Sequence, residues 1–205
     1  MGWVWAGLLS FLLGSIPSGL WLGRAVRGID VREHGSGNLG ATNVYRTLGP
    51  RWGISVLLLD AAKGVGAVLV SRAVGGTANP VLLGLLGMIG AALGHMFTPF
   101  AGFRGGKGVA TLAGAWGAVA PFTLAIALGV WILAFATTRI VSIASILAAV
   151  ALPIAAAIDA GVRDPRFATA LLVGTLLILR HRSNLTRLRR REERRLDLRG
   201  PGPRT

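Results

Sequence analysis

The feature that most constrains this chain is the separation of its charges from its apolar residues. Long apolar stretches run at about 3–23, 53–73, 79–100, 108–137, 140–160 and 166–179, and the 22 lysines and arginines fall almost entirely between and after them. Most of these stretches approach the roughly 20 residues that cross a hydrocarbon core as a helix. In lipid, a spanning backbone must satisfy its own hydrogen bonds, and for runs this long and uninterrupted the helix is the solution. A soluble domain seldom carries 53% apolar residues together with a net charge of +14. The expected fold class is therefore all-α, a polytopic membrane protein.

The stretch 108–137 decides the number of crossings. Its 30 residues would make a helix of roughly 45 Å, too long for one straight span. Pro121, near its middle, brings no backbone donor. Divided there, the chain has seven transmembrane helices, at about 3–23, 53–73, 79–100, 108–120, 122–137, 140–160 and 166–179. With the five-arginine loop from Arg24 to Arg51 in the cytoplasm, seven crossings put 18 basic residues inside and three outside, whereas six put 9 inside and 12 outside. The positive-inside rule selects seven, with the N-terminus outside and the C-terminus cytoplasmic. Trp3 and Trp5 would then mark the outer interface, Trp21 and Trp52 the inner one. The first basic residue, Arg24, follows the first apolar run instead of preceding it, so that run is expected to stay in place as a span. The chain is expected to divide into a single transmembrane domain, 1–182, and a basic cytoplasmic tail, 183–205.

On this topology the polar segments all face the cytoplasm. The first contains GSGNLGATN, Gly35 to Asn43. Its opening fits G-x-G-x-x-G, but the dinucleotide fingerprint needs a strand before it, a helix after it and a distal acid within a βαβ unit, and membrane spans flank this segment instead. Glycine has a more general use, because bare backbone can turn successive N–H groups toward an anion. Gly35, Gly37 and Gly40 suit such a nest, and Ser36, Asn38, Thr42 and Asn43 add side-chain donors. Arg46 falls one helical turn after Asn43. The second segment places Arg104, Gly105, Gly106, Lys107 and Gly108 directly before a span, where a helix N-terminus favours anions; His95 ends the preceding span. The third is RHRSN, with His181 and Asn184 three residues apart. Taken singly, each has a plain alternative: a solvated glycine turn, an interfacial histidine, a stop-transfer cluster. Taken together they form a phosphate-binding pattern. The first two segments hold only Asp30 and Glu33 as acids, too few for a magnesium-dependent phosphotransferase, and the absence of cysteine removes thiolate sites. No cofactor or metal is expected.

GSIPSGLWLGR (14–24), GSGNLGATNVYRTLG (35–49), GHMFTPFAGFRGGKGVATLAG (94–114) and RHRSN (180–184), with LDAAKG (59–64) and VSIAS (141–145), resemble the acyl-phosphate-dependent glycerol-3-phosphate acyltransferases of bacteria. The resemblance runs over residues 8–195. It implies a seven-span inner-membrane enzyme that moves a fatty acyl group from acyl phosphate to position 1 of glycerol 3-phosphate, yielding lysophosphatidic acid and inorganic phosphate in phospholipid biosynthesis. It implies catalytic roles for Ser36, Arg46, His181 and Asn184. Substrate binding is implied for Gly37, Asn38, Gly40, Thr42, Asn43, His95, Arg104, Gly105, Gly106 and Lys107. Arg104 stands where many members have lysine, and Ser183 where acids are common.

The chemistry is coherent without the resemblance. Acyl phosphate is an activated mixed anhydride, so the protein needs chiefly to align a hydroxyl with a carbonyl and to hold two anionic groups close together. His34, His95 and His181 are the histidines available, and none begins the H-x4-D pair of many acyl-CoA-using enzymes. The substrate's own phosphate is then the expected proton acceptor. Asp60 and Lys63, three apart within a span, read as a paired intramembrane charge. Arg139, Ser142 and Ser145 share a helix face that extends the candidate site. A transporter of phosphorylated metabolites would also need cationic sites, but its sites lie near mid-membrane, often between repeated halves. The arginine-rich tail suits adhesion to anionic lipid; nucleic-acid binding is not expected.

Overall fold

The computed structural model describes residues 1–198, whose regular secondary structure is all helix, with no strand among the described residues. The chain forms two compact units: Met1–Val119 with Asp197 and Leu198, and Ala120–Leu196.

In the first unit, α1 (Gly2–Gly14) and α2 (Ser18–Arg27) share the first apolar stretch. Pro17, which has no N–H to donate, separates them. A one-turn 3₁₀ helix (Val31–Glu33) leads to α3 (Ala41–Leu48) and then to α4 (Pro50–Val74), which begins with proline at its first turn. Next come α5 (Pro80–Met96), a 3₁₀ turn (Pro99–Ala101) and α6 (Val109–Val119). α1 packs on α4 and α5, and α6 packs on the same pair. Small residues set these approaches: a Cβ on Gly64 would strike the Thr111 backbone, and one on Gly114 the Ala61 backbone, so α4 and α6 touch main chain to main chain.

The second unit begins at the break expected from Pro121. Ala120 leaves the helical region (φ −149°, ψ 80°) and α7 starts at Pro121, running to Thr138. α8 (Val141–Ala160), α9 (Pro165–Arg180) and α10 (Arg182–Arg189) follow, each packed on its predecessor.

Every stretch expected to span is helical, but the lengths differ. Among the described residues, five segments are long and apolar enough to cross a membrane: Gly2–Arg27, Pro50–Val74, Pro80–Ala101, Pro121–Thr138 and Val141–Ala160. The other two, α6 and α9, have 11 and 16 residues.

The expected tail is partly folded. Residues 182–189 are α10, and beyond them Glu193 and the Leu196 N–H return to Ser142 and the Arg139 carbonyl. The last part of that stretch, 199–205, lies outside the described residues.

Candidate functional site

In the first unit an apolar floor fixes the first polar loop. Leu20, Val31, Leu39, Val44, Leu48, Val56 and Ala101 bury one another beneath it, tying α2, the loop, α3, α4 and the turn after α5 into one cluster. Asp30 and Arg32 then link the two polar loops. Asp30 caps the 3₁₀ turn by accepting from the Arg32 N–H (2.9 Å), and its carboxylate also takes the Arg32 guanidinium at 2.6 Å. Arg32 Nη1 donates across to the Ala101 carbonyl (2.9 Å). The guanidinium hydrogen bond holds the Asp30 carboxyl down at about 2.

The glycine nest expected in this loop takes a different form. Asn43, 1% exposed, is the loop's internal clamp. Its Oδ1 accepts from the Ser36 N–H (2.7 Å) and Oγ (3.1 Å), and its Nδ2 donates to the carbonyls of Val31 (2.8 Å) and His34 (3.1 Å). The Gly37 N–H goes to the His34 carbonyl and the Gly40 N–H to Asn38 Oδ1. These N–H groups therefore hold the loop's own shape. Gly35 and Gly37 are required by their positive φ (63° and 70°), and a Cβ on Gly35 would also collide with Asn43 Oδ1. The clamp leaves Ser36 exposed at the loop tip, with Thr42 and Arg46 half-buried on α3.

The second loop uses its glycines to lie against the end of α5. The Gly105 N–H donates to the Met96 carbonyl (3.2 Å) and the Gly106 N–H to the His95 carbonyl (3.1 Å). Gly106 sits so close to His95 that a Cβ there would overlap Nε2. Lys107 is half-buried two residues before α6, and Arg104 is exposed.

These loops meet at the α1–α2 break. A small cavity there is lined by Ser15, Pro17 and Gly19 at the break, Leu39 of the first loop, His95 near the end of α5, and Gly106 of the second loop. Its floor carries the intramembrane pair. Lys63 Nζ lies 2.9 Å from Asp60 Oδ1 and donates to the Ile16 carbonyl (2.7 Å), Ser18 Oγ donates to Asp60 Oδ1 (3.1 Å), and His95 Nδ1 lies 3.8 Å from the same oxygen. Thr111 Oγ1 stands 3.2 Å from His95 Nδ1. Sequence reasoning found Asp60 and Lys63 as a pair but not their neighbours. Pro17, flanked by Ser15 and Ser18 within an apolar stretch, is the sequence mark of that break.

The third element belongs to the second unit. His181 is buried, with Nδ1 2.8 Å from the Leu177 carbonyl. Asn184 Nδ2 donates to Glu193 Oε1 (2.6 Å), which also accepts from Ser142 Oγ (2.9 Å), while Arg187 Nε donates to Oε2 (2.6 Å). Burial raises the Glu193 carboxyl, but the bonds from Asn184, Arg187 and Ser142 outweigh it, and the net displacement is downward. Glu193 was not a candidate from the sequence, being hidden in an arginine run; two acids interrupting that run were its only mark. Of the face Arg139, Ser142 and Ser145, only Ser142 has this tie. Ser145 Oγ accepts from Trp131, and Arg139 ends α7 in the left-handed conformation.

In the first unit, the buried Lys63 and His95 and the Gly106 backbone line one cavity. Comparison with known proteins gives the chemistry a family. A family model described as glycerol-3-phosphate acyltransferase matches residues 4–191. The glycerol-3-phosphate acyltransferase of Desulforudis audaxviator is 45% identical over 191 residues, covering 93% of this chain and 94% of the relative. That of Geobacter sulfurreducens is 45% identical over 188 residues, covering 91% and 94%. Among solved structures, PlsY (YgiH), an integral membrane glycerol 3-phosphate acyltransferase, superposes in its glycerol 3-phosphate form with a TM-score of 0.87 at 36% identity over 96% of each chain. Its lysophosphatidic acid form gives 0.84 at 35% identity, again over 96% of each. This chain belongs to the glycerol-3-phosphate acyltransferase family.

Proposed function

We propose that this acyltransferase takes its acyl group from acyl phosphate and delivers it to position 1 of glycerol 3-phosphate, releasing lysophosphatidic acid and inorganic phosphate. The observation that carries the reading is the convergence, on one cavity of the first unit, of residues from both glycine loops together with a buried lysine and a buried histidine. The glycerol hydroxyl oxygen bonds to the acyl carbon, the bond from that carbon to the phosphate oxygen breaks, and the hydroxyl proton passes to phosphate oxygen. Such a step needs alignment and anion stabilisation more than a strong protein base. In this reading Ser36 and Arg46 serve the glycerol 3-phosphate side. His181 and Asn184 orient the glycerol end. Gly37, Asn38, Gly40, Thr42 and the Asn43 clamp hold the first loop in its binding shape, while His95, Arg104, Gly105, Gly106 and Lys107 serve phosphate binding.

In this reading the chain crosses the bacterial inner membrane seven times, as one functional acyltransferase domain over 1–182, with its N-terminus outside and its active site cytoplasmic. The basic residues from 183 onward lie on anionic lipid. The deciding experiment supplies purified protein in detergent with glycerol 3-phosphate and one of three labelled donors: acyl phosphate, acyl-CoA or acyl carrier protein. Mass spectrometry should find 1-acyl-glycerol 3-phosphate with acyl phosphate alone. Equal or greater product from acyl-CoA would overturn the assignment of the donor.

A further inference from the structure

The break between α1 and α2 exposes backbone groups inside a membrane segment, and the side chains that cover them come from α4 and from the turn after α5. The Ser15 carbonyl accepts from Thr98 Oγ1 (2.5 Å), beyond the end of α5, and the Ile16 carbonyl accepts from Lys63 Nζ on α4. Asp60, one turn before Lys63, takes the Ser18 hydroxyl at the start of α2 and faces His95 Nδ1 from α5. The same nitrogen lies 3.2 Å from Thr111 Oγ1 of α6. Asp60 is 3% exposed, Lys63 6% and His95 7%.

Stability alone is a weak reason to keep such a pair. Two ions are costly to remove from water, and apolar residues of similar volume often replace a buried ion pair without loss, or with a gain. The geometry supplies another reason. With Nδ1 beside Asp60 and Thr111, the imidazole is held so that Nε2 turns to Gly106, where only a residue without Cβ fits. The same carboxylate holds Ser18, so one side chain sets both the break that opens the cavity and the histidine that lines it.

We infer that Asp60 is a positioning residue for acyl transfer: through Lys63 and Ser18 it fixes the α1–α2 break, and it holds His95 with Nε2 against the second glycine loop. This rests on the reading of that cavity as part of the reaction site. Asp60 touches no substrate in this account, so its removal should lower kcat and leave the KM for glycerol 3-phosphate nearly unchanged.

The test removes the pair as a pair. Asp60→Leu/Lys63→Met should unfold in detergent at or near the wild-type temperature, as apolar replacement of an ion pair allows. Its kcat should fall at least about tenfold, in keeping with the cost of misplacing a group at a reacting centre. Carbethoxylation of His95 by diethyl pyrocarbonate, followed by peptide mass spectrometry with the exposed His34 as internal reference, should run faster than in wild type. A stable double variant with wild-type kcat would overturn the inference and leave a structural ion pair. If the double variant fails to fold, Asp60→Asn carries the test, since it keeps the shape and an acceptor for Ser18. A wild-type kcat in that variant overturns the inference, and a fall of about fivefold or more at unchanged KM supports it. Absence of transfer from acyl phosphate in the wild-type protein would sink the donor assignment instead. His95 reactivity then decides alone: equal rates in wild type and Asp60→Asn overturn the positioning role.

Discussion

The two glycine loops of the first unit look alike in sequence and are built differently. The loop from Asp30 to Gly40 turns its polar groups on itself, with Asn43 reaching back from α3 to accept the Ser36 N–H and to donate to the Val31 and His34 carbonyls. The loop from Arg104 to Gly108 spends two of its N–H groups on the end of α5 and draws its backbone over His95. Glycine is needed in different proportions for two reasons. In the first loop Gly35 and Gly37 supply left-handed turns; in the second Gly105 and Gly106 remove a Cβ from a close approach to α5, and Gly108 alone is left-handed (φ 87°). Glycine-rich composition therefore fixes where a loop can bind an anion less firmly than it fixes where the main chain must bend or touch.

The comparison can be broken at several points. The largest effect is expected at Arg46, which follows the first loop on α3. A charge-assisted hydrogen bond contributes about 1.5–3 kcal/mol, so Arg46→Ala should lower kcat/KM for glycerol 3-phosphate by roughly 10–150-fold. A steady-state assay losing less than about threefold removes Arg46 from substrate binding. Gly106→Ala comes next. Its new methyl group meets His95 Nε2, and overpacking of this kind costs about 1–3 kcal/mol. Activity should fall, and a second change that shortens residue 95, His95→Ala, should make the two substitutions markedly non-additive.

Asp30→Asn should have a smaller effect, spread over both loops, because it loosens the Arg32 bridge to Ala101. The sign with pH is fixed by the depressed carboxyl. Its contribution to stability is fully present above the ordinary value of 3.8 and is lost as pH falls through about 2. The difference in unfolding temperature between wild type and Asp30→Asn should therefore be constant through neutral pH and shrink below about pH 4. A difference that grows on acidification contradicts the assigned pairing. The smallest effect is expected at Arg104, exposed at the loop surface. Arg104→Ala should change kcat/KM by less than the roughly tenfold expected of a buried charged contact, and Arg104→Lys, which keeps a cation there, should retain wild-type rates.

Much of the fold was legible because apolar length and proline are local signals. Each expected span proved helical, the first as two helices broken at Pro17, and Pro121 opens α7 after a non-helical Ala120. Pairing at a spacing of three within a span was legible too, and Asp60 with Lys63 is such a pair. The path of the loops was not. Asn43 reads as a ligand donor until the carbonyls of Val31 and His34 are seen to converge on it, and nothing in the sequence fixes that turn. Glu193 was missed because its partner Ser142 is 51 residues away. A run of arginines also reads as solvated tail whether or not one acid in it folds back.

The central claim is that phosphate is both the handle on the acceptor and the leaving group on the donor. Continuous measurement of phosphate release from acyl phosphate by the purified protein tests it directly. The account predicts that release requires glycerol 3-phosphate and matches lysophosphatidic acid formation one for one. Phosphate released at the same rate without glycerol 3-phosphate, or lysophosphatidic acid formed with no phosphate released, would contradict it.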